Sequence, residues 1–323
     1  MSDTAETAAP EHHSTAQQVV SPAAGGLRPA RPFGAVLTAM ATPFDADGGV
    51  DLEAVAALAE HLVAHGHDGL VVNGTTGESP TTSDDEQDRV LRAVLDAVGD
   101  RVQVVTGVGS NDTRHAVELA RAAQKSGAHG LLVVTPYYSK PPQAGLLQHF
   151  TTVADATGVP VMLYDIPGRS GVAIATDTLL RVAEHDRVVA VKDAKDDLFA
   201  SAQVMAATDL AYYSGTDELN LAHLTQGASG VVSVVGHLAG QQLAQMVAAV
   251  DAGDLGTAVA VQRSLLDLTA AVMRTTQGAI MVKAGLQLRG VLARRSVRLP
   301  LVEATPEQVD VLRLALAALD ARP

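Results

Sequence analysis

The sequence contains no cysteine and no tryptophan. Without thiols, the chain has no means of forming disulfides, binding zinc or iron–sulfur clusters through sulfur, or using a catalytic thiol. No uninterrupted apolar run reaches the roughly 18–20 residues that a membrane helix needs. The N-terminus has no basic region followed by an apolar core, so the sequence predicts no signal peptide. These absences favour a metal-free protein of the cytoplasm.

Basic residues are also few. The 323 residues include 23 Lys and Arg against 36 Asp and Glu, a formal net charge of -13. Such a surface repels phosphate backbones and anionic lipids, so the composition predicts neither nucleic-acid nor membrane partners. Hydrophobic residues make up 47% of the chain, enough for the core of one large domain.

Eight short apolar runs follow an N-terminal segment that lacks any apolar period. That segment, residues 1–32, is rich in Ala, Pro, Ser and Gly, which predicts a disordered extension. Most of the runs are continuously apolar, as strands buried on both faces must be. The runs are Val36–Ala41, Gly69–Asn73, Val102–Val108, Gly130–Pro136, Pro160–Ile166, Val188–Ala194, Leu210–Gly215 and Gly230–Gly236.

Amphipathic helical patterns alternate with these runs, which predicts an α/β fold, a (β/α)8 TIM barrel over residues 33–237. The alternative is a doubly wound open sheet, but the glycine-rich dinucleotide fingerprint is missing after the first strand. Further helical patterns predict a C-terminal helical region, residues 238–323, packed on the barrel. They cover residues 238–251, 254–274, 277–290 and 306–320.

Lys192 carries the most chemical information, because it lies in a run of valines at the end of the sixth predicted strand. Barrel enzymes place their active sites at the C-terminal ends of the strands. Burial among apolar residues lowers the pKa of a lysine and leaves a neutral amine that attacks carbonyl groups. The alternative is a structural lysine whose amine reaches solvent or pairs with Asp193.

Two other strand ends offer partners for such an amine. The turn Gly74–Gly77 presents the hydroxyls of Thr75 and Thr76 and exposed amides, which suit a carboxylate. Tyr164 ends the strand before that of Lys192 and is placed to transfer protons. The alternatives are an ordinary strand-to-helix turn and a buried tyrosine with a structural hydrogen bond.

Histidines give no comparable signal for a metal. His61 and His65 are spaced as i and i+4 on the first predicted helix, but no third ligand is near in sequence. A solvated helix face explains the pair, so we predict no metal ion and no bound cofactor.

Four motifs occur in order at the ends of the second, fourth, fifth and sixth predicted strands: Gly-Thr-Thr-Gly-Glu-Ser at 74–79, Thr-Pro-Tyr-Tyr at 135–138, Tyr-x-x-Pro-x-Arg-Ser-Gly at 164–171 and Val-Lys-Asp at 191–193. In this order they resemble the dihydrodipicolinate synthase/N-acetylneuraminate lyase family. The match runs from about Leu37 to about Leu314. Within the family, the chain is most similar to actinobacterial members that condense pyruvate with aspartate semialdehyde on the route to diaminopimelate and lysine.

The resemblance implies catalytic roles at four positions and a homotetrameric assembly. Lys192 would form the Schiff base with pyruvate, and Tyr164 would be the general acid and base. Thr75 and Tyr138 would complete a proton relay, with Tyr138 reaching in from a neighbouring subunit.

The resemblance also implies substrate-binding roles. Thr76 would bind the pyruvate carboxylate, and the backbone of Val232 would face the pyruvate. Arg169 would hold the carboxylate of the second substrate, which favours a small carboxylated aldehyde over a sialic acid. A structural ion pair to a loop acid is the alternative role for Arg169.

Two positions depart from lysine-inhibited members of the family. Gln87 and His115 stand where those members carry a histidine and a glutamate, while Asn111 is kept. We therefore expect weak or no feedback inhibition by lysine. Two other functions stay open: a pyruvate-dependent aldolase or hydratase for another 2-keto acid, such as a deoxy-sugar acid, and a catalytically silent barrel that binds a keto acid.

Overall fold

The computed structural model describes residues 30–321, in which eight parallel strands form a closed barrel. Each strand pairs with the next, and the eighth pairs with the first, so the predicted TIM barrel is confirmed. The strands are β1 Val36–Ala39, β2 Gly69–Val72, β3 Gln103–Gly107, β4 Gly130–Val134, β5 Val161–Asp165, β6 Val188–Asp193, β7 Ala211–Ser214 and β8 Gly230–Ser233.

The predicted disordered extension of residues 1–32 lies outside the described residues, apart from its last three. Among these, Arg31 lies against the barrel. Its Nε donates to Ser229 O at 2.7 Å, and its Nη2 donates to Asp251 Oδ1 at 2.9 Å. The described chain is therefore fastened to the barrel just before β1.

Helices follow the strands around the barrel and continue after β8. They are α1 Leu52–Ala64, α2 Asp84–Val98, α3 Thr113–Ser126, α4 Gln143–Asp155, α5 Pro167–Ser170, α6 Thr176–Val182, α7 Leu198–Ala207, α8 Asn220–Thr225, α9 Gly236–Asp251, α10 Leu255–Ser264, α11 Leu266–Met273, α12 Gly278–Leu288 and α13 Pro306–Asp320. The boundary drawn from the sequence between residues 237 and 238 falls within α9, the helix that directly follows β8. The helical pattern of 254–274 contains two helices that meet at Leu265.

The strands are buried on both faces, as their apolar runs predict. Side chains pointing into the barrel form one cluster, which includes Leu37, Val105, Met162 and Val232. The barrel axis is therefore filled with packed side chains, and ligands have access only at the strand ends. Gly230 shows how close the strands lie, because a Cβ there would come within 2.2 Å of Ala35 O.

The C-terminal helices share a second core with the barrel. Val36 of β1 and Val231 of β8 belong to the same buried cluster as Val272 of α11, Met281 of α12 and Leu312 of α13. Burying these side chains contributes roughly 1.5–3 kcal/mol each. Among residues 30–321, no helix is both long and apolar enough to cross a membrane.

Candidate active site

Lys192 is buried near the end of β6, with Tyr164 of β5 and Tyr213 of β7 as its neighbours across the strands. The residue is 4% exposed, and its Nζ lies 4.2 Å from the centroid of the Tyr164 ring. Burial and then the charge of Arg169 lower the pKa of the Lys192 amine to about 7, while Asp217 opposes the shift. A large fraction of the amine is therefore neutral and nucleophilic near neutral pH.

The pairing with Asp193 that was considered for Lys192 does not occur. The Asp193 carboxylate instead accepts hydrogen bonds from Lys195 N at 2.8 Å and from Ser201 Oγ at 2.6 Å. Within the described part of the chain, Lys192 forms no ion pair. Gly215 makes room for the lysine, because a Cβ there would lie 3.0 Å from Lys192 Cγ.

Asp217 is a functional candidate that the sequence analysis missed. It follows the end of β7, is 5% exposed, and carries the one negative charge that raises the pKa of Lys192. Its carboxylate ties the β7 loop to the end of β8. The donors are Asn220 Nδ2, Ser233 Oγ, Val234 N and Val235 N. In the sequence, Asp217 looks like any acid at the start of a helix, so only the fold reveals this role.

Tyr164 keeps its proton at neutral pH. The residue is 6% exposed, and burial raises the pKa of its phenol to about 12, although the charge of Arg169 opposes the shift. Its backbone oxygen accepts two hydrogen bonds from Thr135, from N at 2.9 Å and from Oγ1 at 3.0 Å. These bonds hold the backbone of Tyr164 in place, and its protonated phenol beside Lys192 is available as a proton donor.

The threonine turn after β2 is fixed by hydrogen bonds at both ends. Glu78 N donates to Thr75 O at 3.1 Å, and Thr42 Oγ1 donates to Gly77 O at 2.7 Å. Thr75 is half-buried, and Thr76 is 7% exposed. Such an ordered turn presents hydroxyls and amides in a constant arrangement, which suits carboxylate binding.

A cavity of about 390 Å³ opens at this end of the barrel. Thr75 and Arg169 line it, whereas Lys192, Tyr164, Thr76 and Val232 do not. The other lining residues are Asn73, Ser79, Pro80, Thr82, Asp84, Gln87, Gly107, Gly109, Ser110, His115, Leu119, Val134, Tyr137, Ile166 and Ser170. The cavity therefore meets the predicted site through its threonine turn and its arginine.

Arg169 is exposed at this cavity, on the short helix α5. Across residues 30–321 it forms no ion pair, so the structural ion pair considered for it is absent from this part of the chain. Its charge lowers the pKa of both Lys192 and Tyr164, which links the cavity wall to the buried pair. An unpaired guanidinium in this place suits a ligand carboxylate.

Tyr138 does not reach the cavity of its own chain. It is 90% exposed and has a left-handed backbone, with φ at 71°, while the preceding Tyr137 lines the cavity. Val232 is fully buried in the inner layer of the barrel. The roles of Tyr138 across an interface and of the Val232 backbone at pyruvate stay predictions.

Gln87 and His115 both lie in the cavity wall. Gln87 Nε2 donates to Ser79 O at 3.1 Å, and His115 Nε2 lies 2.9 Å from Asp84 Oδ2. The sequence analysis did not single out Asp84, which places a carboxylate in this wall. His115 lies within hydrogen-bonding distance of that carboxylate. The expectation of weak lysine inhibition stays a prediction.

No group of three or more His, Asp or Glu side chains within residues 30–321 is arranged to hold a metal ion. The rings of His61 and His65 lie 4.0 Å apart, and His65 Nδ1 is 2.6 Å from His61 O. The backbone oxygen of His61 therefore occupies one ring nitrogen of His65.

Comparison with known proteins identifies the family of the chain. The sequence model of the dihydrodipicolinate synthetase family matches residues 32–319. The 4-hydroxy-tetrahydrodipicolinate synthase of Kineococcus radiotolerans is 67% identical over 304 residues, which cover 94% of this chain and 99% of the relative.

Solved structures give the same result. A dihydrodipicolinate synthase from Bacillus anthracis is 38% identical with a TM-score of 0.86, covering 90% of this chain and 99% of its own. The enzyme from Cyanidioschyzon merolae, solved with lysine bound, is 38% identical with a TM-score of 0.87. The match covers 91% of this chain and 100% of the Cyanidioschyzon chain. The chain therefore belongs to the dihydrodipicolinate synthetase family.

Proposed function

We propose that this protein condenses pyruvate with L-aspartate 4-semialdehyde to give 4-hydroxy-tetrahydrodipicolinate, in diaminopimelate and lysine biosynthesis. The observation that carries the proposal is Lys192: a buried amine with a pKa of about 7, 4.2 Å from the Tyr164 ring centroid and beside a cavity with an unpaired arginine. Family membership and the names of the close relatives support the same reaction.

The first half of the reaction activates pyruvate. The neutral Lys192 amine attacks the keto carbon, and the oxygen leaves as water to give an imine. Loss of a methyl proton then gives an enamine, because the protonated imine nitrogen accepts the electron pair. The imine is the electron sink, so this step needs no metal ion or bound cofactor. Thr76 and the amides of its turn hold the carboxylate.

The second half forms the ring. The enamine carbon attacks the aldehyde carbon of the semialdehyde, whose oxygen takes up a proton supplied through Tyr164. The amino group of the same substrate then attacks the imine carbon and displaces Lys192. Overall, one water molecule is released for each pyruvate and each semialdehyde consumed. Thr75 and a partner's Tyr138 relay the protons, and Arg169 binds the second carboxylate.

This reaction class makes the protein a lyase, of the carbon–oxygen type. We place it in the cytoplasm, as a homotetramer built from dimers. The 90% exposure of Tyr138 on a left-handed backbone supports a subunit contact at this point, because a tyrosine held in such a conformation needs surroundings to stabilise it.

A coupled assay tests the function. The protein is mixed with pyruvate and aspartate semialdehyde, and the product is followed through a dihydrodipicolinate reductase that consumes NADPH. We expect pyruvate-dependent turnover that disappears in Lys192→Ala. Turnover with a 2-keto-3-deoxy sugar acid but not with the semialdehyde would contradict the proposed substrate and leave an aldolase of another specificity.

A further inference from the structure

A buried ion pair joins the threonine turn to the C-terminal helices. Lys283 of α12 is fully buried, and its Nζ donates to Glu78 Oε1 at 2.5 Å and to Ser296 O at 2.8 Å. Glu78 is 2% exposed and immediately follows the turn that carries Thr75. The two residues are 205 positions apart in the sequence.

Both oxygens of the Glu78 carboxylate are occupied from the C-terminal region. While Oε1 accepts from Lys283, Oε2 accepts from Arg298 N at 2.9 Å. The ring of Phe44 lies beneath both cations, 4.1 Å from Lys283 Nζ and 4.4 Å from the guanidinium carbon of Arg298. Glu78 therefore has no freedom to turn away from these partners.

Arg298 extends the same network to the far side of the turn. Its Nη1 donates to Thr81 O at 2.7 Å, and its guanidinium pairs with the Glu86 carboxylate at 2.9 and 2.5 Å. Glu86 also completes the capping box that begins α2 with Ser83. The chain from the end of β2 to the first turn of α2 is thus held at Glu78, at Thr81 and at Glu86.

The backbone of Glu78 shows what this network does. Its φ is 57°, in the left-handed region that costs a non-glycine residue free energy and persists only where the surroundings hold it. The same backbone N–H donates to Thr75 O. The side-chain contacts of Glu78 thereby fix the hydrogen bond that closes the threonine turn.

The contribution of a buried ion pair to the stability of the fold is a weak explanation for its presence. Burying two charges costs several kcal/mol each, and a well-packed apolar pair is often as stable or more stable. Burial lowers the pKa of Lys283 to about 8 even with Glu78 beside it. Keeping the buried Lys283 amine charged therefore costs free energy. A charged pair does, however, specify one geometry, which apolar contacts do less strictly.

We propose that Lys283 and Glu78 are positioning residues, which hold the Thr75–Thr76 turn in the conformation that binds the carboxylate of the keto acid. The C-terminal helices thereby control the affinity for the first substrate without contacting it. The inference rests on the proposed function.

The test measures pyruvate affinity by borohydride trapping, which needs no second substrate. Lys283→Met and Glu78→Gln are incubated with increasing pyruvate, and the labelled fraction of Lys192 is read by mass spectrometry. We expect the half-saturating pyruvate concentration to rise roughly tenfold in both variants, since a displaced turn weakens carboxylate binding. Labelling at saturation should stay complete, because Lys192 itself is unchanged.

Arg289→Met is the matched control. Arg289 caps the same helix, α12, and forms a two-pronged ion pair with Asp320 at 2.8 and 2.6 Å, away from the turn. This variant also loses an ion pair of the C-terminal region, but its half-saturating concentration should match that of the unaltered protein. Circular dichroism checks the fold of each variant, and Glu78→Gln, which keeps the side-chain shape, decides if Lys283→Met does not fold.

Three results would overturn the inference. A half-saturating concentration within twofold of the unaltered protein in folded Glu78→Gln would remove the positioning role and leave the proposed function intact. An equal rise in Arg289→Met would reduce the effect to general loss of stability. The absence of any adduct in the unaltered protein would overturn the proposed function and this inference together.

Discussion

At the scale of single residues, Lys192 owes its chemistry to a small set of neighbours. Burial between β5 and β7 lowers the pKa of its amine, Arg169 lowers it further, and Asp217 raises it. Tyr164 is shifted in the opposite direction, so its phenol stays protonated beside an amine that is partly neutral. The site thus holds a nucleophile and a proton donor together near neutral pH.

The pH dependence of trapping should report the Lys192 amine. Because the pKa of the Lys192 amine in the folded protein is about 7, its neutral form disappears as the pH falls below 7. The initial trapping rate should therefore fall on the acid side of the pH profile, the acid limb. Asp217→Asn removes a charge that raises this pKa, and the limb should therefore move to lower pH. Asp196→Asn, a nearby change at an exposed residue, should leave the limb in place. A limb that stays fixed or moves to higher pH in Asp217→Asn would contradict the assignment.

Arg169→Met should weaken the binding of aspartate semialdehyde and leave the trapping of pyruvate in place. We expect the KM for aspartate semialdehyde to rise roughly 10- to 100-fold, because the variant loses a charge-assisted contact to its carboxylate. Borohydride trapping of pyruvate should persist, and its acid limb should move to higher pH, since the lost cation lowers the Lys192 pKa. An unchanged KM for the semialdehyde, measured in the coupled assay, would remove Arg169 from the second-substrate site.

At the scale of elements, the starts of α2 and α3 form one wall of the cavity. They place Asp84, Gln87 and His115 there, and His115 lies within hydrogen-bonding distance of Asp84. An amino group approaching this wall would have to compete with His115 for the carboxylate. We therefore expect this wall to bind a free amino acid weakly.

Lysine should inhibit this protein weakly or not at all. The reason is the exchange of a carboxylate for His115 and the engagement of Asp84 by that histidine. The measurement is the coupled assay at increasing lysine, with His115→Glu as the comparison in which inhibition should strengthen. An inhibition constant near physiological lysine levels in the unaltered protein would contradict this prediction.

The elements themselves could be predicted because their signals are local. Each of the eight apolar runs contains a strand, since a strand buried on both faces leaves a continuous apolar stretch. The short helix α5 and the break at Leu265 were not predicted, because neither has a distinct pattern. The pairing of Glu78 with Lys283 and the contacts of Asp217 join distant segments, so only the folded chain reveals them.

At the scale of the whole molecule, the barrel leaves one predicted catalytic group outside its own site. Tyr138 is 90% exposed, whereas Lys192 and Tyr164 are buried. The motif that contains Tyr138 was recognisable in the sequence, but the subunit contact proposed for it would involve a second chain. In the proposed assembly, Tyr138 of one subunit reaches the cavity of its partner.

Complementation between two inactive variants tests this arrangement. Lys192→Ala and Tyr138→Phe should each lose most activity while keeping their fold. Co-expressed in equal amounts, they should recover activity, because a mixed dimer joins Lys192 of one chain with Tyr138 of the other. Random pairing would restore roughly a quarter of the sites. If Tyr138 acts in its own chain, no mixed dimer contains an intact site, and no activity would return.

The most direct test of the central claim is borohydride trapping with pyruvate, followed by peptide mass spectrometry. We predict a single adduct, on the peptide that contains Lys192, in the unaltered protein and none in Lys192→Arg. An adduct on another lysine, such as Lys195, or no adduct in the unaltered protein would contradict the assignment of Lys192 as the Schiff-base residue.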